Sequence, residues 1–166
     1  GERTVAAPNE TCANCNVYRA ANLKKLGVSL AQTDYVVALA GNPNTGKTTL
    51  FNRLSGLRHK TSNFPGTTLE ARVGRVGVGS LQVDLIDLPG IYSLELDLIE
   101  SEICRAVLDG RAAPRGQVVA EPSAICVVAD ATNLPRSLML VGEALRRRLP
   151  TVVALNMMDL ARRRGI

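Results

Sequence analysis

The sequence is poor in aromatic residues and has no long apolar run. It contains no tryptophan, and only 3% of its 166 residues are aromatic, which leaves few platforms on which single-stranded nucleic-acid bases could stack. Its longer apolar runs, such as 35–40 and 125–129, fall far short of the roughly 20 residues that cross a bilayer. A nucleic-acid partner is therefore not expected, and neither is a membrane span within these residues.

The composition is that of one packed domain. Hydrophobic residues make up 46% of the chain and charged residues 21%, which is typical of a globular protein of this length. The net charge of +5 comes largely from two arginine triplets, 146–148 and 162–164. The first triplet ends an amphipathic segment, where the helix dipole favours basic side chains. The positive charge therefore does not by itself indicate nucleic-acid binding.

From Tyr35 onward, short β-rich apolar runs alternate with longer amphipathic segments. This alternation predicts an α/β fold, a mostly parallel sheet with helices on both faces. We predict strands at 35–40, 71–78, 81–86, 124–129 and 150–155, and helices at 46–56, 97–108 and 135–148, the last capped by Asn133. Gly79 and Ser80 should join two strands as a hairpin, so that one strand is antiparallel to the rest. The polar segment 57–68, which includes a solvated His59, is predicted to be an extended loop.

Residues 1–33 differ from the rest and are predicted to be an appendage to a domain formed by residues 34–166. They contain Cys12 and Cys15, the spacing of half a metal site or of a redox pair, before a predicted helix at 17–26. A tetrahedral site needs two further ligands, and the sequence has no second C-x-x-C and no histidine pair. The role of this pair stays open. Cys104 and Cys126 are predicted to be structural thiols in a reducing compartment.

The segment GNPNTGKT at 41–48 follows a predicted strand and opens a predicted helix. It fits the pattern G-x-x-x-x-G-K-[ST], in which successive backbone N–H groups surround phosphate oxygens. Gly41 and Gly46 permit the unusual backbone angles of such a loop. Lys47 places a positive charge on the terminal phosphates, and the Thr48 hydroxyl can coordinate magnesium. The segment therefore predicts a phosphate-binding site.

Two further motifs follow predicted strands. DLPG at 87–90 supplies Asp87, which can face the magnesium ion, and Gly90, whose backbone amide can meet the terminal phosphate. NMMD at 156–159 supplies Asp159, whose carboxylate can accept the two N–H groups that guanine presents and adenine lacks. Asn156 can contact the base and brace neighbouring loops. In this order, the motifs predict binding of GTP and GDP.

The motifs GNPNTGKTTLFN, NFPGTT, DLPGIYSL, DATNLPRSLML and ALNMMD resemble those of the translation-factor-like GTPases, and most closely the cytosolic G domain of the FeoB family of bacterial ferrous-iron transporters. The resemblance covers residues 34–160. It implies a P-loop NTPase fold of the Ras-like type that stops after the guanine motif, and hence a piece of a longer membrane protein. It also implies a GTPase attached to a ferrous-iron permease at the cytoplasmic face of the bacterial inner membrane. Oligomerisation is left open.

The resemblance assigns roles that spacing alone does not. Thr68 matches the threonine of the first switch loop that closes on magnesium in the triphosphate state, and Asn44 matches an asparagine that helps to hold a potassium ion. Ile91 stands where many regulatory GTPases place a water-orienting glutamine. The resemblance therefore implies slow hydrolysis that potassium stimulates.

The candidate site residues fall into three overlapping groups. Those expected to bind the nucleotide are Gly41, Asn42, Pro43, Asn44, Thr45, Gly46, Lys47, Thr48, Thr49, Asp87, Gly90, Asn156, Met157 and Asp159. Those expected to act in hydrolysis are Lys47, Thr68 and Gly90. Those expected to hold metal ions are Thr48, Thr68, Asp87 and, for potassium, Asn44.

Two other functions fit the same motifs. One is a soluble GTPase of ribosome assembly or tRNA modification, for which an RNA-binding domain after the G domain would decide. The other is a nucleotide-binding interaction module without turnover, which an absence of GTP hydrolysis in both potassium and sodium salts would favour.

Overall fold

A six-stranded mixed sheet forms the centre of the part of the chain that the computed structural model describes, residues 33–56, 59–117 and 119–166. The strands are β1 (Tyr35–Gly41), β2 (His59–Asn63), β3 (Glu70–Val78), β4 (Leu81–Asp87), β5 (Ala124–Asp130) and β6 (Thr151–Asn156). Their order across the sheet is β2-β3-β4-β1-β5-β6. The strands β4, β1, β5 and β6 are parallel, whereas β3 is antiparallel to both β2 and β4.

Helices cover both faces of this sheet, as the sequence predicts. They are α1 (Lys47–Ser55), α2 (Ile99–Leu108), α3 (Leu134–Arg146) and α4 (Met158–Arg163). Successive side chains of a strand point to opposite faces. Accordingly, Leu39 of β1 packs with Phe51 of α1, while Ala38 and Ala40 join the larger core cluster that contains Ile103 of α2 and Leu140 of α3. The longest described helix has 13 residues, and none in this part of the chain is both long and apolar enough to cross a bilayer.

The predicted helices and strands are present, with each end shifted by no more than two residues. The hairpin at Gly79 and Ser80 is confirmed, because Val78 pairs with Leu81 in antiparallel register. Asn133 precedes α3, but its side chain makes no capping hydrogen bond. Asp130 stabilises this turn instead, since its Oδ1 accepts hydrogen bonds from the Thr132 N–H at 2.8 Å and the Thr132 hydroxyl at 2.7 Å. The predicted helix at 17–26 lies outside the described residues.

The prediction of an extended loop over 57–68 is wrong in its middle part, where β2 forms. This strand pairs antiparallel with β3, from His59 opposite Gly74 to Asn63 opposite Glu70. It lies at the sheet edge, where polar side chains can face water and no apolar alternation is needed. His59 is only half-exposed, and its ring meets the Phe51 ring edge-on with centroids 5.6 Å apart. A pattern search for alternating apolar residues therefore misses this strand.

Gly74 allows α1 to pack closely against β3. A Cβ atom at Gly74 would lie 2.4 Å from Ser55 Cβ and 3.1 Å from Phe51 Cζ. We expect Gly74→Ala to lower the free energy of unfolding by about 1–3 kcal/mol, because the helix must move away from the strand. Gly77→Ala is the matched control on the same strand, since the nearest atom to its Cβ would be the flexible Gln82 Nε2 at 3.6 Å. Urea unfolding followed by circular dichroism would measure both, and equal midpoints for the two variants would contradict the described packing.

Candidate functional site

The motif residues lie at one edge of the sheet because of where their strands end. Gly41, Asp87 and Asn156 are the last residues of β1, β4 and β6. These strands are parallel, so their carboxyl ends share one edge, which is where ligands bind in open α/β sheets. The structure therefore brings all three motifs to the same edge.

The segment 41–47 forms a tight loop between β1 and α1. Asn44 and Gly46 adopt left-handed backbone angles, with φ of 65° and 80°, which asparagine and glycine tolerate best. The Thr45 hydroxyl donates a hydrogen bond to the Asn42 carbonyl at 3.0 Å and closes the turn. In the described structure, α1 has no capping side chain and no acidic residue in its first turn. Its free N–H groups and the positive end of its dipole are therefore available to an anion.

A cavity of about 510 Å³ adjoins this loop. That volume lies in the usual range for small-molecule sites. Most of its walls come from the loop, from the start of α1 and from the segment after β4. The lining residues are Asn42, Pro43, Asn44, Gly46, Lys47, Thr48, Thr49, Leu69, Glu70, Pro89, Gly90 and Glu100.

Lys47 and Asp87 form a buried ion pair at the floor of the site. Lys47 Nζ contacts Asp87 Oδ1, and each side chain is only 9% exposed. Lys47 also lines the cavity, so its ammonium group can serve both the carboxylate and an anion in the cavity. Asn42 is 5% exposed, and its Oδ1 has no hydrogen-bond partner among the described residues. A buried acceptor of this kind is expected where a ligand supplies the missing donor.

The backbone of the segment 88–91 lies directly on the loop. The N–H of Leu88 donates to the carbonyl of Leu39 at 3.0 Å, and the N–H of Ile91 donates to the carbonyl of Gly41 at 3.1 Å. Between them, a Cβ atom at Gly90 would lie 3.3 Å from Pro43 Cα. Glycine at this position therefore lets the backbone approach the loop and the cavity closely.

Asn156 connects the last motif to the loop. Its side-chain Nδ2 donates to the Thr45 carbonyl at 2.9 Å, and its backbone carbonyl accepts a hydrogen bond from the Ala131 N–H at 3.0 Å. A Cβ atom at Gly46 would come within 2.2 Å of the same Nδ2, so the contact depends on glycine there. Beyond Asn156, Met157 adopts a left-handed φ of 60°, and Asp159 is exposed in the first turn of α4.

The structure places seven of the candidates outside the cavity lining and adds three lining residues that the sequence motifs do not contain. Thr68 is exposed, and the described residues that line the cavity do not include it. The same holds for Gly41, Thr45, Asp87, Asn156, Met157 and Asp159, whereas Leu69, Glu70 and Glu100 line the cavity. The Arg72 guanidinium hydrogen-bonds Glu70 at 2.9 and 3.0 Å, and this contact lowers the pKa of Glu70. Glu70 is therefore held in its ionised form, with its charge balanced by Arg72. The position of Glu70 two residues after Thr68 is the only sequence feature that points to it.

The metal candidates do not form a preassembled cage. Within residues 33–56, 59–117 and 119–166, no group of three or more His, Cys, Asp or Glu side chains is arranged to hold a metal ion. The oxygen donors that the motifs supply are the Asp87 carboxylate and the hydroxyl of Thr48, which lines the cavity. Cys12 and Cys15 lie outside the described residues.

Cys104 packs beneath the segment after β4, where its Sγ lies 3.7 Å from the Pro89 carbonyl. Burial raises the pKa of its thiol to about 12. Because the thiolate is the nucleophile, we expect the folded chain not to be alkylated at Cys104 by iodoacetamide near neutral pH. Peptide mapping by mass spectrometry would measure this, with the chain alkylated in denaturant as the control. Rapid modification in the folded chain would contradict the burial.

The sheet order, the loop between β1 and α1, and the cavity before α1 define a P-loop nucleotide-binding domain. A family model described as "Ferrous iron transport protein B" matches residues 35–166. The chain is 40% identical over 135 residues to the Fe(2+) transporter FeoB of Shigella flexneri and to that of Escherichia coli K12. The chain therefore belongs to the ferrous iron transport protein B family. The matched part is 78% of this chain and 16% of each relative, so the chain spans about one sixth of their length.

Solved structures agree with this assignment. The G domain of the T. maritima FeoB iron transporter is 36% identical, with a TM-score of 0.69 over 78% of this chain and 76% of that one. The cytosolic domain of L. pneumophila FeoB is 39% identical, with a TM-score of 0.67 over 78% of this chain and 52% of that one. The T. maritima cytosolic domain has been solved in a GMPPNP form. It is 37% identical, with a TM-score of 0.69 over 79% of this chain and 48% of that one. The fold of the described residues is that of a FeoB G domain, and the predicted P-loop NTPase class is confirmed.

Proposed function

We propose that the chain binds GTP, hydrolyses it slowly, and regulates or energises a ferrous-iron transporter through the nucleotide state. The observation that carries the proposal is the hydrogen bond from Asn156 to the Thr45 carbonyl, 2.9 Å long. It holds the motif expected to select the base against the loop expected to hold the phosphates. One nucleotide can therefore engage both.

The chain supplies several groups for the phosphates. The N–H groups at the start of α1 and the Lys47 ammonium offset the negative charge on the β and γ phosphates. The Thr48 hydroxyl and the Asp87 carboxylate are hard oxygen donors that fit magnesium held together with phosphate oxygens. A magnesium ion held by these two residues would supply positive charge to offset the negative charge that develops during transfer. Gly90 lines the cavity and would meet the γ phosphate with its backbone N–H, and Thr68 would have to close over that phosphate from its exposed position.

Hydrolysis is expected to be slow because the side chain that follows Gly90 cannot orient the attacking water. Ile91 is 3% exposed and apolar, so its side chain cannot orient water by hydrogen bonding. Asn44 lines the cavity expected to hold the phosphates, and its side chain offers an amide oxygen as a ligand. We therefore propose that Asn44 helps to hold a potassium ion, whose charge supports hydrolysis as an arginine finger does in other GTPases.

The partner in this proposal is a ferrous-iron permease attached to the same protein. The curated relatives are named Fe(2+) transporters, and this chain matches only a small share of their length. The G domain would then work at the cytoplasmic face of the bacterial inner membrane, with residues 1–33 as an appendage to it.

Single-turnover hydrolysis of GTP in potassium chloride and in sodium chloride tests the proposal. We expect hydrolysis in both salts and faster hydrolysis in potassium. Asn44→Ala should abolish the difference between the salts, and Asn133→Ala is the matched control because Asn133 is an exposed asparagine away from the cavity. A complete lack of hydrolysis in either salt would identify the chain as a nucleotide-binding module without turnover and would overturn the proposal.

A further inference from the structure

Helix α3 holds the segment that follows Gly90 through a buried carboxylate that no sequence motif singles out. Glu143 is 6% exposed and lies on the inward face of α3, between the buried Leu140 and Ala144. Its Oε1 accepts the Ser93 hydroxyl at 2.6 Å, and its Oε2 accepts the Leu94 N–H at 2.5 Å. Both carboxylate oxygens are therefore bound to this one segment.

Other contacts fix the same few residues. The Ser101 hydroxyl of α2 donates to the Ser93 carbonyl at 2.7 Å, and Ser101 is fully buried. The Arg136 guanidinium stacks 4.1 Å from the centre of the Tyr92 ring, and Arg146 bonds Glu95 at 2.6 Å. Of these contacts, only the pair from Glu143 is charge-assisted and buried, so it is the strongest of the set.

The position of these anchors matters because residues 88–98 contain no helix or strand. Such a segment keeps its shape only where side chains or backbone groups elsewhere hold it. Gly90 has anchors on both sides: Leu88 and Ile91 bond to β1, and Ser93 and Leu94 bond to Glu143. Loss of the bonds to Glu143 would leave Ser93 held at its carbonyl by Ser101 and Leu94 held at its carbonyl by Arg105, and would loosen the backbone that follows Gly90.

We propose that Glu143 is a positioning residue for hydrolysis, which acts through Ser93 and Leu94 to hold the Gly90 backbone at the phosphate cavity. The inference rests on the proposed GTPase function. Glu143 itself lies outside the lining of the cavity. Its loss should therefore lower kcat and leave nucleotide affinity almost unchanged.

Replacement by methionine tests this, because methionine has a similar size and cannot accept either hydrogen bond. We expect Glu143→Met to lower kcat about tenfold, since small misplacement of a reacting group has large effects on rate. The Kd for a fluorescent GDP analogue should stay within about threefold of wild type, because uniform binding contacts are retained. Glu102→Met is the matched control: Glu102 is exposed on α2, and its side chain makes no hydrogen bond in the described structure.

The conservative variant separates positioning from simple stabilisation. Glu143→Gln keeps one oxygen for the Leu94 N–H, and its amide can donate to the Ser93 hydroxyl oxygen. It should restore most of kcat. Ser93→Ala removes one of the two bonds and should lower kcat about threefold, by the loss of one hydrogen bond of modest net strength. A purely structural role would lower the melting temperature of Glu143→Met while leaving kcat unchanged at a temperature where the variant is folded.

Failure of the Glu143 proposal can be distinguished from failure of the proposed GTPase function. If wild type does not hydrolyse GTP, the proposed function fails, and the positioning claim is then judged by hydrogen exchange of residues 90–96 in the GDP-bound chain. Faster exchange in Glu143→Met than in Glu102→Met supports it, and equal exchange overturns it. If Glu143→Met does not fold, Ser93→Ala decides by the same measurements. Unchanged kcat in Ser93→Ala would then overturn the proposal.

Discussion

Replacement of Lys47 by methionine is expected to reduce GTP hydrolysis by at least about 100-fold, because removal of one preorganised charge at a developing anion typically has an effect of this size. Nucleotide affinity should fall as well, since Lys47 lines the cavity that we assign to the phosphates. Lys60→Met is the matched control, because Lys60 is exposed on the edge strand β2. Single-turnover hydrolysis and binding of a fluorescent GDP analogue would measure the two effects.

Because Lys47 forms an ion pair with Asp87, its replacement should change the stability of the fold as well as the rate of hydrolysis. Lys47→Met alone leaves the Asp87 carboxylate buried without its cation, which should destabilise the fold. The double variant Lys47→Met/Asp87→Asn removes both charges and should recover most of that stability. It should nevertheless remain inactive. Recovery of hydrolysis in the double variant would show that Lys47 acts only on folding, which contradicts its assignment to the phosphates.

Replacement of Asp159 by asparagine is expected to change the base that the domain prefers. The carboxylate can accept both the ring N–H and the exocyclic amino group of guanine, whereas an asparagine amide offers one acceptor and one donor. Xanthine carries a carbonyl where guanine carries the amino group, so asparagine should complement xanthine. We expect GTP affinity to fall at least about 100-fold and XTP affinity to rise, because the loss of a matched donor and acceptor pair between site and ligand is costly.

Competition of GTP and XTP against a fluorescent GDP analogue would measure the change. Glu121→Gln is the control, since Glu121 is an exposed carboxylate far along the chain from the motif. Unchanged preference in Asp159→Asn would mean that the carboxylate does not meet the base.

The phosphate-loop motif is the part of the site that the sequence predicts best, for a physical reason. Phosphate is bound by consecutive backbone N–H groups, so the requirement falls on neighbouring residues such as Gly41 and Gly46 and is visible as a local pattern. Asp87 and Asn156 are visible because each follows directly on a buried strand whose carboxyl end lies at the same edge of the sheet.

Other features depend on contacts between residues far apart in the chain, so the local sequence gives little indication of them. The edge strand β2 is polar and shows no alternation, because only one of its sides pairs and most of its side chains are exposed. Glu143 and Ser93 are 50 residues apart, and nothing in either local sequence reports their hydrogen bond. The one indication is a charged residue on a mostly apolar helix face, beside Leu140 and Ala144.

Competitive displacement of a fluorescent GDP analogue by unlabelled GDP and ADP tests the central claim most directly, that the loop at 41–48 and the motif at 156–159 hold one guanine nucleotide between them. The claim predicts displacement by GDP at comparable concentrations and at least about 100-fold weaker displacement by ADP, because the Asp159 carboxylate has no donor pair to accept from adenine. Equal displacement by GDP and ADP, or no binding of the analogue at all, would contradict it.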